Sequence, residues 1–422
     1  MKSTTVRRLA LAAAVVSLLS ASLLAPGLFE AGAQSRRQPP ASQSSPQKKN
    51  KRPDPADPSR QEQQPEPPPG EILPTKDDEP VKVTTSLVNV EAVVYHKKSG
   101  QIVTNLKQGN FQIFEDGIKQ EITNFSTPEA PITVAVVLEY SKTAQIMGLY
   151  GNQGMERGEL ELIRPTAIFL QQFIRPPDDY VSVVAYDMRP TPLTDFTNDP
   201  RRISEVITLL LRNQPASREA NLFDALKLVL VGGRADSVVL ENSKEEKSEY
   251  AGMISIQRRR RAVFLVSTGL DTFSKINYDE ARKIAQNAGI PIYIVGTGEL
   301  FMKRYGDDLS ATDGLAGSIA PGRLSLLQAR NTLRTFADET GGMYLPVTFP
   351  GELPNVLQTF NAMMRSQYSL AYNPGERRDG KRHKIVVKVD VDGDGTLDEK
   401  EFVVKARQFY NSPKDAKDNN KK

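Results

Sequence analysis

A chain of 422 residues is long enough for two or three folded units. Its 55 lysines and arginines against 51 aspartates and glutamates leave a formal charge of +4, which gives no electrostatic case for a nucleic-acid partner. With no cysteine and only two histidines, disulfides, thiolate metal sites and cysteine nucleophiles are excluded, and a multi-histidine zinc site or histidine-based triad nearly so.

Residues 1–33 read as an export signal. Lys2, Arg7 and Arg8 form a basic start, residues 9–24 an apolar core, and Ala31-Gly32-Ala33 a small-residue cleavage site. Pro26, Gly27 and Glu30 interrupt the apolar run before the ~20 residues that span a bilayer, which favours removal over retention as an anchor. No other segment could span, so the mature chain is expected to be exported without a transmembrane helix. A periplasmic or extracellular place in a bacterial cell envelope suits a fold that has no disulfides. Residues 34–80, rich in Pro, Gln, Ser and balanced charge, bury too little apolar surface to offset their ordering entropy and should form a disordered, extended linker.

Residues 81–128 read as a small β unit. Within it, 86–95 (SLVNVEAVVY) is β-rich and 96–100 a polar turn. The segments 111–115 and 120–125 flank Asp116-Gly117 as a hairpin, because Asp-Gly tolerates positive φ. Residues 131–373 alternate strands and helices. Apolar strands fall at 133–138, 180–185, 262–266 and 292–295, with shorter ones at 343–346 and 368–372. Helical spacing covers 160–174, 201–211, 222–231, 278–288, 324–340 and 353–365. This alternation predicts an α/β fold, a doubly wound, mostly parallel Rossmann-like sheet with helices on both faces. Ligands of such sheets bind outside the carboxyl ends of the strands, where residues 139–143 and Ser267-Thr268 fall.

Two insertions, 234–261 and 306–322, interrupt the alternation. The run Arg258-Arg259-Arg260-Arg261 reads as a solvated approach to the next strand, with an anionic partner or a processing site as alternatives. Residues 374–410 return to β character at 383–390 and 401–409 around an acidic loop, and 411–422 form a polar tail expected to be disordered. His96 and His383 lie in turn-rich stretches (HKKSG and GERRDGKRH) and are expected to be solvated loop residues.

The order and spacing of several motifs carry a resemblance. They are VNVEAVVYHKKSGQIVTNLKQGNFQIFEDGIKQEITNFS, VAVVLEYS, DDYVSVVAYD with LTDFTND, LFDAL, VFLVSTGLDTFS, QYSLAYNP, the DGKRHKIVVKV run and VKARQFY. Together they resemble the von Willebrand factor A (VWFA)-related domain family of secreted bacterial proteins, of the acidobacterial type. The resemblance implies an A-type domain on a small β-rich platform formed by the N- and C-terminal flanking segments. It also implies a metal-ion-dependent adhesion site (MIDAS) whose positions map to Glu139, Ser141, Thr143, Asn221 and Thr268. In the intact motif Glu139 and Thr268 would both be Asp, so the resemblance implies a degenerate site in which Mg²⁺ is not expected.

A second metal signal comes from spacing alone. Asp390, Asp392, Asp394, Thr396, Asp398 and Glu401 fall at the ligand positions of a twelve-residue Ca²⁺ loop, with Gly395 at its tight bend. The flanking IVVKV and FVVKA are strands rather than helices, so a bound Ca²⁺ should tie the two closing strands together. The expected function is an exported, non-enzymatic module that binds a protein partner. The alternative is a structural or assembly factor of the bacterial cell envelope, using the fold without metal-dependent recognition. No nucleophile motif supports a hydrolase.

Overall fold

The computed structural model describes residues 87–128, 131–147, 155–234, 249–256, 260–313, 321–375 and 378–413, all within a compact unit spanning Val81–Lys422. The export signal, the linker, residues 414–422 of the tail, Arg258 and Arg259 lie outside the described residues. The described chain begins with β1 (Val88–His96), β2 (Ile102–Val103), β3 (Phe111–Glu115), β4 (Ile118–Gln120) and β5 (Ile122–Ser126). Next come β6 (Ile132–Glu139), α1 (Lys142–Met147), α2 (Met155–Gln172), β7 (Tyr180–Tyr186), β8 (Pro190–Thr197), α3 (Pro200–Arg212) and α4 (Leu222–Val231). The short pair β9 (Gly233–Arg234) and β10 (Glu249–Tyr250) precedes β11 (Arg260–Ser267), α5 (Tyr278–Ala288), β12 (Ile292–Gly296) and α6 (Gly298–Tyr305). Then follow α7 (Arg323–Thr340), β13 (Tyr344–Pro346), α8 (Leu353–Arg365), β14 (Tyr368–Tyr372), β15 (Arg382–Val389), β16 (Phe402–Ala406) and β17 (Phe409–Asn411).

The alternating part builds a six-stranded sheet in the order β13-β12-β11-β6-β7-β8. Every neighbouring pair is parallel except β7 with the edge strand β8. All eight residues of β6 are buried, as a strand covered on both faces requires. Val134, Val136 and Leu138 join Phe264 on one face, where α2, α3 and α8 contribute Phe169, Val206 and Phe360. Ala135 and Val137 join Val263 and Leu265 on the other, against Val229 of α4, Ala285 of α5 and Phe336 of α7. Local chemistry sets the helix ends. Asp199 caps α3 by accepting from the Arg201 N–H, with Pro200 in the first turn, and Asn277 caps α5 through the Glu280 N–H. Periodicity does not reveal β8, whose Pro190 and Pro192 would break a central strand and are tolerated because β8 is an edge.

The flanking segments form two further sheets, β16-β1-β14-β5 (with β2 on β1) and β17-β15-β3-β4. Their facing side chains share one core: Val90 and Val94 from β1, Phe111 and Ile113 from β3, Tyr368 and Tyr372 from β14, and Ile385 from β15. Several expectations are corrected here. The hairpin at Asp116-Gly117 returns only through β4, while β5 leaves to pair with β14. The strand at 368–372, expected with the alternating part, pairs with β1 because Tyr368, Leu370 and Tyr372 all point into the sandwich core. The β run expected over 401–409 divides: β16 pairs with β1, and β17 pairs with β15, which also pairs with β3.

Two polar expectations also change. Arg260 is not solvated; only 1 % of it is exposed, and its guanidinium donates to the Thr127 and Arg365 carbonyls. His383 is buried within β15, with Nδ1 2.8 Å from Asp116 Oδ2 and Nε2 3.2 Å from Asp379 Oδ1. Burial lowers its pKa, but the hydrogen bonds to the two carboxylates more than offset this, so the net shift is upward. Arg407, another buried cation, donates from Nε to the Phe409 carbonyl (3.1 Å), from Nη1 to that of Asn89 (3.2 Å) and from Nη2 to that of Gln286. It approaches Gly289 so closely that a Cβ there would lie 2.2 Å from Nη1.

Candidate functional site

The parallel register brings the end of β6 between β7 and β11. Glu139 stands opposite Tyr186, and Leu138 opposite Val266, so Ser267 and Thr268 pass beside the Glu139 carboxylate. That carboxylate is 1 % exposed and surrounded by donors. Oε2 accepts from the Thr268 N–H (2.7 Å), Ser267 Oγ (3.0 Å) and Tyr186 Oη (3.4 Å). Oε1 accepts from Ser141 Oγ (3.1 Å), and the Thr268 hydroxyl is shared between the two oxygens at 3.0 and 2.8 Å. Burial raises the Glu139 pKa, and the bonds from Thr268, Ser267 and Ser141 only partly offset it. The Tyr186 hydroxyl also meets Ser267 Oγ at 2.8 Å, and burial together with the Glu139 charge holds its pKa well above the ordinary tyrosine value.

Three of the five mapped positions, Glu139, Ser141 and Thr268, thus come together. The other two turn to loop carbonyls. Thr143 Oγ1 donates to the Arg218 carbonyl (2.8 Å), and Asn221 Nδ2 donates to those of Met188 (3.2 Å) and Phe273 (3.4 Å) while Oδ1 accepts from Ser274 (3.1 Å). Asp271 is engaged elsewhere as well, accepting from the Phe223 N–H at the start of α4 (3.2 Å) and from Ser274 Oγ (2.5 Å). Mg²⁺ needs near-octahedral oxygen ligands at about 2.0–2.1 Å. One carboxylate already committed to neutral donors, with two mapped ligands turned away, does not suit it. Sequence reasoning placed Ser267 at this edge without a role and missed Tyr186; both sit at strand ends in quoted motifs, and the register brings them to the carboxylate.

Apolar side chains are exposed on the segments that follow the sheet strands. Among the described residues ten large apolar side chains are exposed, and five of them follow the carboxyl ends of sheet strands: Ile146, Met188, Phe273, Leu324 and Phe349. A cleft of about 600 Å³ includes Met188, Asn221 and Phe273 in its lining, and one of about 520 Å³ includes Thr143, Phe223 and Asp271.

The acidic loop after β15 is tightly wound. Asp390 Oδ1 and Oδ2 accept from the Gly393 and Gly395 N–H groups, both at 2.8 Å, and these glycines take φ of +79° and +89°. Asp398 Oδ2 accepts from the Val391 N–H at 2.7 Å. Carboxylate oxygens of Asp390, Asp392 and Asp398 lie within 4.8 Å of one another. Asp394 and Glu401 are not part of this gathered group. Asp394 accepts from the Thr396 N–H (2.6 Å), and the Glu401 carbonyl is bound by the Lys97 N–H (2.8 Å) at the end of β1.

No family model matches the chain, and no curated protein matches it. Among solved structures it is similar to the vWF domain of the type V pilus tip protein Mfa5 from Porphyromonas gingivalis, at 14 % identity and a TM-score of 0.35, covering 59 % of this chain and 99 % of that one. It is also similar to the PilB minor pilin of Streptococcus sanguinis (12 % identity, TM-score 0.36), covering 56 % of this chain and 62 % of that one. A third similar structure is proximal thread matrix protein 1 of the mussel byssus with a zinc-occupied MIDAS motif (9 % identity, TM-score 0.35), covering 60 % of this chain and 49 % of that one. The chain therefore spans less than two thirds of the length of the pilin and the byssus protein. Among the described residues no helix is long and apolar enough to cross a membrane.

Proposed function

We propose that this chain is an exported, non-enzymatic protein-binding module of the VWFA-related kind, and that it grips a partner protein through the carboxyl-edge loops without a metal ion. The observation that carries the reading is the set of exposed apolar side chains at the carboxyl edge, Met188, Phe273 and Phe349 on loops, Ile146 on α1 and Leu324 at the start of α7, together with a Glu139 carboxylate taken up by internal donors. Exposed apolar side chains on segments of one sheet edge suit a partner surface. With full-length chain as bait in an envelope extract, capture of a discrete partner is expected to survive a chelator. It should fall roughly tenfold or more for Met188→Asp and Phe273→Asp, since interface energy concentrates in a few apolar anchors. Capture that requires a divalent ion overturns the metal-free grip, and capture that both variants retain overturns the loop surface and favours an envelope assembly factor.

We also propose that the loop 390–401 binds Ca²⁺ weakly, in the range of extracellular calcium. Support comes from the ligand spacing, the three gathered carboxylates and the two left-handed glycines. Bound Ca²⁺ would cross-link β15 and β16, which belong to different sheets, and would stabilise rather than catalyse. At a Ca²⁺ concentration tenfold above Kd the fold should gain about 1.4 kcal/mol by mass action. Calorimetry should therefore show a calcium-dependent rise in Tm that Asp392→Asn, an exposed change, removes. An unchanged Tm in millimolar calcium eliminates the site.

A further inference from the structure

We propose that a polar cleft at the amino edge of the parallel sheet binds a small zwitterion of the amino-acid class, its ammonium against Glu91 and its carboxylate against Arg261. The cleft has a volume of about 600 Å³ and is remote in the sheet from the carboxyl-edge loops. Its floor follows from strand alternation. Val88, Val90 and Ala92 of β1 enter the sandwich core, so Asn89 and Glu91 face the other way, beside Ala371 and Ser369 of β14. Asn124 of β5 continues this polar face. A different element supplies the opposite charge: Arg261 lies at the start of β11, and Ile254, 45 % exposed, lies on the segment before it.

The two charges are complementary but do not meet. Among the described residues the Glu91 carboxylate has one hydrogen-bond donor, Ser369 Oγ, at 2.5 Å. The Arg261 guanidinium donates to the Met253 carbonyl at 3.2 Å, and no ion pair joins it to Glu91. Its neighbour Arg260 is turned to the Thr127 and Arg365 carbonyls. Burial raises the Glu91 pKa to about 7, with Ser369, Arg261 and Arg260 pulling it back only partly, and burial also lowers the Arg261 pKa. Each group is half-buried, and each would gain from an opposite charge at contact distance. A lone anion or cation satisfies one and leaves the other. A zwitterion satisfies both, the Asn89 and Asn124 amides offer it donors and acceptors, and Ile254 offers contact to an apolar side chain.

The test is isothermal titration of the full chain with L-leucine and with dileucine, which separates a free amino acid from a peptide. Isoamylamine and isovalerate serve as singly charged counterparts of the same apolar group. One or both zwitterions should bind at least tenfold more tightly than either counterpart. Glu91→Gln and Arg261→Gln should each reduce that binding at least tenfold while the Tm stays near that of the wild type. Near pH 7 the wild type should release protons on binding, read as a heat that depends on the buffer's ionisation enthalpy, and Glu91→Gln should not. No binding of either zwitterion at millimolar concentration, equal binding of isovalerate, or full binding by both folded variants overturns the proposal.

Discussion

Glu139→Ala should destabilise the fold by about 3 kcal/mol, because it leaves a small cavity and strands the buried Thr268 N–H and the Ser141 and Ser267 hydroxyls. Glu139→Gln should stay within about 1 kcal/mol of the wild type at neutral pH. Its oxygen can take the Thr268 N–H, and its amide can donate to hydroxyls that rotate to accept. The pH dependence has a definite sign. A carboxyl whose folded pKa is raised binds its proton more tightly in the folded state, so the stability it confers falls as pH rises from the unfolded value of about 4.3 to the folded one. Urea midpoints should therefore show the wild type gaining on Glu139→Gln as pH is lowered toward that unfolded value. A constant difference between the two would mean that the carboxylate is not desolvated as described. Mg²⁺ should shift neither midpoint, and a Mg²⁺-dependent gain confined to the wild type would restore a metal site.

Arg407→Ala should cost about 3 kcal/mol or more, since it orphans three backbone carbonyls held by one buried cation. Burial lowers the Arg407 pKa only to about 10, so the group is charged at neutral pH and each bond is charge-assisted. The three carbonyls belong to β1, to α5 and to β17, so the guanidinium pins the closing β segment at the junction of sandwich and α/β sheet. Arg407→Lys should recover only part of the loss, because an ammonium on one stem cannot reproduce the planar fork. Gly289→Ala should also destabilise, through the close approach of Nη1 and a φ of +60°. Denaturant unfolding with an unchanged m-value would read these losses. A cost for Arg407→Ala below about 1 kcal/mol would show that water replaces the guanidinium.

Much of the fold was legible in local pattern. The apolar run 134–138 within β6 announced a strand covered on both faces, and the boundaries of α4, α5 and α8 match the helical spacing residue for residue. The candidate site was legible in part. Glu139, Ser141 and Thr268 converge, because each lies at or just beyond the carboxyl end of a central strand. Thr143 and Asn221 do not join them, since loop carbonyls from Arg218, Met188 and Phe273 take their polar atoms.

The sequence by itself determined the strand–helix alternation, the burial of the central strands and the chemical types available at the carboxyl edge. These depend on periodicity and composition within a few residues. Tertiary structure alone decided which strands pair, sending β5, β14 and β16 to one sheet and β3, β15 and β17 to the other. It also decided that His383 and Arg260 are buried, that Glu139 is enclosed by Thr268, and that Glu91 and Arg261 share a cleft. The reason is physical: β pairing and the solvation of a charge are set by groups far apart in the chain. Asp116, the partner of His383, is 267 residues away and Thr268 is 129 from Glu139, distances at which local pattern carries no information about contact.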